Sequence, residues 1–193
     1  MYDHDFPSFS EGKVIPHGIY DVGDNKGYLS LGTTKDTSEF VCHNFEHFWQ
    51  QQLQWKYNGR EWMLFLFDSG GSNNCRHYIF KEDLFKLVQR IQMNIVVAHY
   101  PTYCSKYNPI ERRLFCHVHR AWQGTVFKNI QIVKELSEKT STETGLSVDV
   151  TINNRDYKAE RQYAEEFKTN INNYIVFDEK LPKWNYTILY KPL

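Results

Sequence analysis

The sequence predicts an α/β layered fold for this chain of 193 residues, and three observations lead to that prediction. Two short β-like segments, residues 14–22 and 27–31, flank a turn-forming Gly-Asp-Asn-Lys stretch, which is typical of an antiparallel hairpin. Two wholly apolar runs, residues 62–67 and 95–98, have the composition of strands covered on both faces in a parallel sheet. Amphipathic helical patterns stand before, between and after these runs.

The helical patterns begin at recognisable signals. Asp36 followed by Glu39 fits a capping box, and apolar residues recur at helical spacing from there to about Trp55. A second helix is predicted over residues 78–93, because its apolar residues form one stripe. A third begins where Asn108 can cap and a proline suits the first helical position, and it runs to about residue 122.

The rest of the chain carries weaker signals. Residues 130–138 are predicted to be helical, residues 146–152 alternate like a strand, and residues 157–168 are predicted to be helical again. The tail that follows gives no prediction.

Composition limits the function classes. Lys+Arg and Asp+Glu both number 23, so the basic excess of an autonomous nucleic-acid-binding domain is absent. The chain does not start with the basic and apolar stretches of a signal peptide, and its longest apolar run is too short to span a membrane. The four cysteines form no CxxC pair, which is typical of reduced thiols. We expect a cytoplasmic protein without membrane association.

Two carboxylates are candidates for catalysis. Asp68 stands where the strand 62–67 ends and a Gly-rich loop begins, the position at which open α/β sheets present ligand-binding groups. Glu111 lies in the first turn of the third helix and is expected to point back towards the strand ends. Paired carboxylates suit Mg²⁺, which prefers oxygen ligands and supports in-line phosphodiester chemistry. The alternatives are a plain Asx turn at Asp68 and a capping role for Glu111.

A sequence motif adds a family resemblance. Residues 103–111, Tyr-Cys-Ser-Lys-Tyr-Asn-Pro-Ile-Glu, resemble the S…NPIE signature of DDE transposases, in which the glutamate is the third catalytic carboxylate. Residues 15–21, 67–73 and 177–186 resemble one insertion-sequence group among them, the Rhodopirellula-type (ISAzo) transposases. The resemblance extends over nearly the whole chain. It implies an RNase H-like mixed sheet flanked by helices, and dependence on Mg²⁺ or Mn²⁺.

The resemblance also assigns roles and exposes a departure. It implies that Asp68 and Glu111 are the second and third catalytic carboxylates and the metal ligands. Such folds begin with three antiparallel strands, the first of which carries the first aspartate, whereas only two strands precede the first helix here. We therefore expect the first, central strand to be absent and the chain to be an amino-terminally truncated fragment with little or no activity. Asp21 and Asp24 are poor replacements, because turn aspartates commonly serve conformation.

The predicted organisation is an incomplete catalytic core over residues 1–136 and a carboxy-terminal extension over residues 137–193. The implied partner is DNA, both transposon ends and target, in the cytoplasm and nucleoid of a bacterium, with a homo-oligomer or a full-length transposase as a further partner. The predicted DNA contacts are Lys106, Asn108, Arg112, Arg113, His117 and Arg120, with Arg76 beside the Gly-rich loop. The alternative for this cluster is an ordinary solvated helix face.

Three functions remain open at this point. The first is strand cleavage at insertion-sequence ends and strand transfer to target DNA by the complete enzyme. The second is a non-catalytic DNA-binding or inhibitory module, and the third is a nuclease of the same fold. The cysteines and histidines of two helices match no standard zinc spacing, so no zinc site is expected.

Overall fold

A computed structural model describes residues 12–101 and 103–191, apart from the side chain of Ser105. They form two compact units: one combines the described part of Met1–Lys35 with Pro109–Tyr157, and the other combines Asp36–Asn108 with Lys158–Leu193. Each unit has its own mixed sheet and helices. The predicted α/β class is confirmed, and two mixed sheets flanked by helices are consistent with an RNase H-like DDE domain. The predicted boundary after residue 136 stays a prediction.

The elements follow one another along the chain. In order they are β1 (Ile15–Asp21), β2 (Lys26–Gly32), α1 (Ser38–Phe48, continued by a π-helical turn Trp49–Leu53 and by Gln54–Lys56), β3 (Trp62–Phe67), α2 (Tyr78–Ile91), β4 (Asn94–His99), α3 (Cys116–Trp122, preceded by a π-helical turn Glu111–Phe115), α4 (Ile130–Glu138), β5 (Ser147–Asn153), α5 (Glu165–Thr169), β6 (Ile175–Phe177) and β7 (Asn185–Ile188). Within the described part of the chain, no helix has the length and apolarity needed to cross a membrane.

The first unit is a three-stranded sheet in the order β1-β2-β5. β1 and β2 form the predicted antiparallel hairpin, and β5 runs parallel to β2. Helices α3 and α4 contribute apolar side chains to its core, and the indole N–H of Trp122 donates to Ser137 Oγ at 2.9 Å to join them. The buried core residues are Leu29, Leu31, Leu114, Val118, Val133, Leu146 and Val148.

The second unit has the strand order β3-β4-β7-β6. β3 and β4 are parallel as predicted, and the other two pairs are antiparallel. Helices α1 and α2 cover one face of β3, where Phe65 lies 4.6 Å from Phe45 and Phe67 lies 5.2 Å from Phe80 between ring centroids. Thr37, and not Asp36, caps α1, because its Oγ accepts from the N–H three residues on.

Two further predictions about this unit were wrong. β3 is not covered on both faces, because Trp62 and Leu64, on the face opposite the helices, are 55% and 59% exposed. Residues 157–168 do not form a helix, and only α5 at the end of that range is helical. The segment before α5 is irregular instead, with a turn at residues 159–160, because Arg161 binds Asp83 of α2 and the backbone N–H of Ala164 donates to Glu82.

β1 and β3 are edge strands of their respective sheets in the described part of the chain. Within the described residues, β1 pairs only with β2, and β3 pairs only with β4. Each therefore presents unpaired backbone groups along one side.

Candidate active site

Asp68 directly follows β3, at the carboxyl end of the strand. The backbone N–H of Gly70 donates to Asp68 Oδ1 at 3.0 Å, so the Asx turn considered from the sequence is present. The second oxygen, Oδ2, has no hydrogen-bond partner among the described residues. A Cβ at position 70 would lie 3.2 Å from Oδ2, and glycine keeps this space open. One oxygen of Asp68 shapes the turn, and the other is available to a ligand.

The residue after Asp68 is strained. Ser69 has φ +61 although it is not glycine, and its side chain is buried with no hydrogen-bond partner for Oγ among the described residues. Such backbone conformations cost energy and persist where the surrounding structure imposes them, often at functional sites. The strain lies directly beside the candidate catalytic carboxylate.

His99, the last residue of β4, holds the loop that follows Asp68. It lies opposite Phe67 in the sheet register, and its ring is buried. Nδ1 lies 2.8 Å from the carbonyl oxygen of Trp184, and Nε2 lies 3.2 Å from that of Asn73. A neutral imidazole has only one N–H, so it donates to one of these carbonyls and not to both. His99 thus connects the Gly-rich loop to the turn before β7.

A buried ammonium group lies behind the same loop. Lys81, in the first turn of α2, is 6% exposed, and its Nζ donates to the carbonyl of Cys75. Nζ also lies 5.3 Å from the ring centroid of Tyr186. Burial lowers the pKa of Lys81 below its ordinary value and raises that of the Tyr186 hydroxyl well above its own.

The stability of this region is expected to fall with acidification because of His99. Burial lowers the pKa of His99, an effect larger than the opposing ones of its two carbonyl partners, and Lys81 lowers it further while Asp68 raises it. The unfolded chain, with a histidine pKa of about 6.5, therefore binds more protons than the folded chain below that pH. The stabilising contribution is present above about pH 6.5 and is lost as the pH falls towards the folded pKa.

This pH effect can be measured by urea unfolding at pH 7.5 and 5.5. We expect His99→Gln to show a smaller loss of unfolding free energy on acidification than the parent chain. The exposed His47 provides the control His47→Gln. An equal acid loss in the parent and His99→Gln would contradict the prediction.

Glu111 opens a π-helical turn. The chain is helical from Pro109, changes to π geometry over Glu111–Phe115, and continues as α3. Ile110, directly before this turn, makes no side-chain cap, and the side chain of Asn108, directly before helical Pro109, has no hydrogen bond within the described residues, so the predicted Asn108 cap is not formed. π-helical turns occur frequently at functional sites, because they re-aim the side chains that they carry. Glu111 is half-buried at the first position of the turn.

Two glycines allow this helix to lie close to the hairpin. A Cβ on Gly27 of β2 would lie 2.4 Å from Leu114 Cδ1, and a Cβ on Gly18 of β1 would lie 2.6 Å from Phe115 Cζ. Neither distance is sterically allowed. The small residues of the hairpin therefore determine the position of the turn that begins with Glu111.

Asp68 and Glu111 belong to different units, and the structure places each within its own. Among the described residues, no group of three or more His, Cys, Asp or Glu side chains is arranged to hold a metal ion. The donor chemistry nevertheless fits a hard cation, because both candidates offer carboxylate oxygens and Asp68 keeps one oxygen unbonded.

The predicted DNA-contact residues differ in exposure. Lys106, Arg76, Arg112, Arg113 and Arg120 are exposed, His117 is half-buried and Asn108 is buried. In the described part of the chain, none of the exposed five is paired with a carboxylate. Their charges are available to phosphate groups, whereas the side chain of Asn108 is buried.

Sequence reasoning did not identify His99, Lys81 or Ser69. The position of His99 at the carboxyl end of a buried strand was a usable signal, since it is the position that made Asp68 a candidate. The burial of Lys81 has little local signal: its carbonyl partner, Cys75, lies only six residues earlier, but the Tyr186 ring comes from the distant β7.

Comparison with known proteins identifies the family. The model of the Rhodopirellula transposase DDE domain matches residues 1–189. No curated protein and no solved structure matches the chain significantly. Because the family model covers nearly the whole chain, the chain belongs to the Rhodopirellula transposase DDE domain family.

Proposed function

We propose that this chain carries two of the metal-binding carboxylates of a DDE transposase, Asp68 and Glu111, and acts on DNA with Mg²⁺ or Mn²⁺. Family membership supports a transposition-related function and DNA as the substrate. The observation that carries the proposal is Asp68 itself. It ends a parallel strand, precedes a strained residue and keeps one carboxylate oxygen unbonded. The π-helical turn at Glu111 supports the second ligand.

The proposed roles follow from the chemistry of the side chains. A bound divalent pair would activate the attacking hydroxyl and stabilise the leaving oxygen in an in-line displacement. Asp68 and Glu111 would supply its anionic oxygen ligands. His99 would keep the Asp68 loop in place, and the exposed cations, above all Lys106, Arg112 and Arg113, would bind backbone phosphates and so position the strand.

A second candidate function is a DNA-binding or inhibitory module without catalysis. The open edges of β1 and β3 favour it, since the strand expected to carry a first aspartate is not among the described elements. Asp21 is a poor replacement for that first aspartate, because its Oδ1 accepts hydrogen bonds from the N–H groups of Gly23 and Asp24 and so stabilises the hairpin turn. On this reading the chain binds DNA but does not cut it.

Metal binding tests the site independently of activity. We expect Asp68→Asn and Glu111→Gln each to weaken Mn²⁺ binding by at least about tenfold, because each removes an anionic ligand. Binding is measured by electron paramagnetic resonance, which detects the free Mn²⁺. Asp178→Asn is a matched control for Asp68. Asp178 also follows a strand, is exposed, and accepts from the N–H two residues on at 3.0 Å.

The controls decide between a ligand and a turn residue. Glu143→Gln, at an exposed glutamate in the same unit as Glu111, serves for the second carboxylate. If Asp68→Asn binds Mn²⁺ as the Asp178→Asn control does, Asp68 is only a turn residue and the site is wrong.

Labelled oligonucleotides separate the candidate functions. The chain is incubated with Mg²⁺ or Mn²⁺ and with duplexes that do or do not carry the insertion-sequence ends. End-specific nicking supports transposase catalysis, indiscriminate cutting supports a nuclease, and binding without cutting supports the non-catalytic module. Any cleavage must disappear in Asp68→Asn and Glu111→Gln.

A further inference from the structure

The loop between β4 and the Glu111 turn displays an unusual tyrosine. Tyr103 is fully exposed and has φ +64, a conformation that bulky side chains rarely adopt. The N–H of Cys104 donates to the carbonyl of Pro101 at 3.1 Å, which places Tyr103 at the third position of a closed turn. A positive φ at that position normally favours glycine or asparagine. Neither burial nor backbone preference accounts for a tyrosine here.

A second aromatic ring and a cation follow at once. The N–H of Tyr107 donates to the carbonyl of Cys104 at 3.0 Å, so a second turn continues the first. Tyr107 is 60% exposed, and Lys106 Nζ lies 5.0 Å from the centroid of its ring. The described residues include four exposed aromatic side chains, and this five-residue segment holds two of them, Tyr103 and Tyr107.

We propose that Tyr103 and Tyr107 form a stacking platform for an unpaired base of the bound DNA, and that Lys106 neutralises the adjoining phosphate. This inference rests on the proposed function, because it requires DNA as the partner. Exposed aromatic rings combined with cations are how proteins bind unpaired nucleotides, since every base offers a π face and every nucleotide carries one negative charge.

The occupant follows from the geometry of DNA. Inside a duplex both faces of each base are stacked on neighbouring bases, so a protein ring reaches a base face only at an unpaired nucleotide or an end. A protein partner would be expected to need a broad apolar patch. This segment is cationic instead: Lys106 lies between the two tyrosines, and Arg112 and Arg113, which have no carboxylate partner among the described residues, follow soon after in the sequence. The platform also precedes Glu111 by only four positions, counted from Tyr107.

Fluorescence titration can test the platform directly. One duplex carries a two-nucleotide 3′ overhang with 2-aminopurine at its unpaired end, and the other is the same duplex with a blunt end; Ca²⁺ replaces Mg²⁺ to suppress cleavage. We expect tighter binding of the overhang duplex and quenching of 2-aminopurine. Tyr103→Ala is expected to weaken overhang binding by about tenfold, the usual effect of losing one stacked base. Tyr103→Phe should retain the preference, because it keeps the ring.

The controls separate stacking from charge. Lys106→Ala should weaken binding of both duplexes, because phosphates are present in both. The platform is refuted if Tyr103→Ala and Tyr107→Ala leave the overhang preference and the quenching unchanged, or if they weaken both duplexes equally. Such a result, with Mn²⁺ binding still dependent on Asp68, overturns the platform alone. Failure to bind either duplex overturns the platform and DNA as the partner together.

Discussion

Leu114→Ala is expected to lower the free energy of unfolding by about 3 kcal/mol, because it empties a fully buried site in the core of the first unit. Gly27→Ala is expected to cost about 2 kcal/mol for the opposite reason. Its methyl group would lie 2.4 Å from Leu114 Cδ1, and Leu114 is 0% exposed, so its side chain cannot move aside into solvent. One change leaves a void and the other overfills the same place.

The double variant should reveal this coupling. In the Leu114→Ala background the new methyl group at position 27 enters the vacated space, so Gly27→Ala should become neutral or stabilising there. Urea unfolding gives the four free energies, and hydrogen exchange over residues 26–32 locates the effect in β2. Gly12→Ala is the control, since a Cβ at Gly12 would meet nothing within 4 Å. Additive costs of the two substitutions would show that the hairpin and the Glu111 turn are not in contact at this point.

This contact also connects stability with the candidate site. Leu114 lies within the π-helical turn that begins at Glu111. An overfilled contact at Gly27 should displace that turn. Gly27→Ala is therefore expected to weaken Mn²⁺ binding as well, and Leu114→Ala in the same chain should restore part of it.

Elements with strong local patterns could be predicted from the sequence. The hairpin, α1, α2, α4 and the parallel pair β3 and β4 each have a period or a turn signal within their own residues. β6 and β7 could not be predicted, because they have three and four residues and are defined by pairing with each other and with the distant β4. The exposure of Trp62 and Leu64 depends equally on which neighbours a strand has, and an apolar run does not reveal this.

The residues of the candidate site also divide into those with a local sequence signal and those that depend on remote partners. Asp68 and Glu111 stand at positions with a local meaning, a strand end and a helix start, and a family motif includes Glu111. His99 depends on carbonyl groups at Asn73 and Trp184, which are remote in sequence. The helix predicted over residues 157–168 was wrong for a related reason, because most of this charged segment is irregular where Arg161 binds the distant carboxylate of Asp83.

Arg161→Met is expected to lower the free energy of unfolding by about 2–3 kcal/mol. This cost is near the lower end of the costs of breaking a buried ion pair, because the arginine side chain is 27% exposed. Its two terminal nitrogens donate to the two oxygens of Asp83 at 3.0 and 2.8 Å. Asp83 is only 5% exposed, and in the variant its carboxylate would keep only the hydrogen bond that Ser38 Oγ donates at 2.6 Å. The cost is therefore mainly that of a buried carboxylate without its cation.

The matched control is Lys134→Met, which removes a pair with Glu138 one helical turn away; the Glu138 side chain is 41% exposed, so this change should cost no more than about 0.5 kcal/mol. A second variant tests the physical reason: Asp83→Leu combined with Arg161→Met removes both charges and should be more stable than Arg161→Met alone. Hydrogen exchange over residues 158–169 should rise in Arg161→Met, because the same arginine and the Ala164 N–H bond hold that segment on α2. If Arg161→Met is as stable as the Lys134→Met control, apolar contacts such as Phe85 with Phe167, 6.0 Å apart between ring centroids, hold the segment instead.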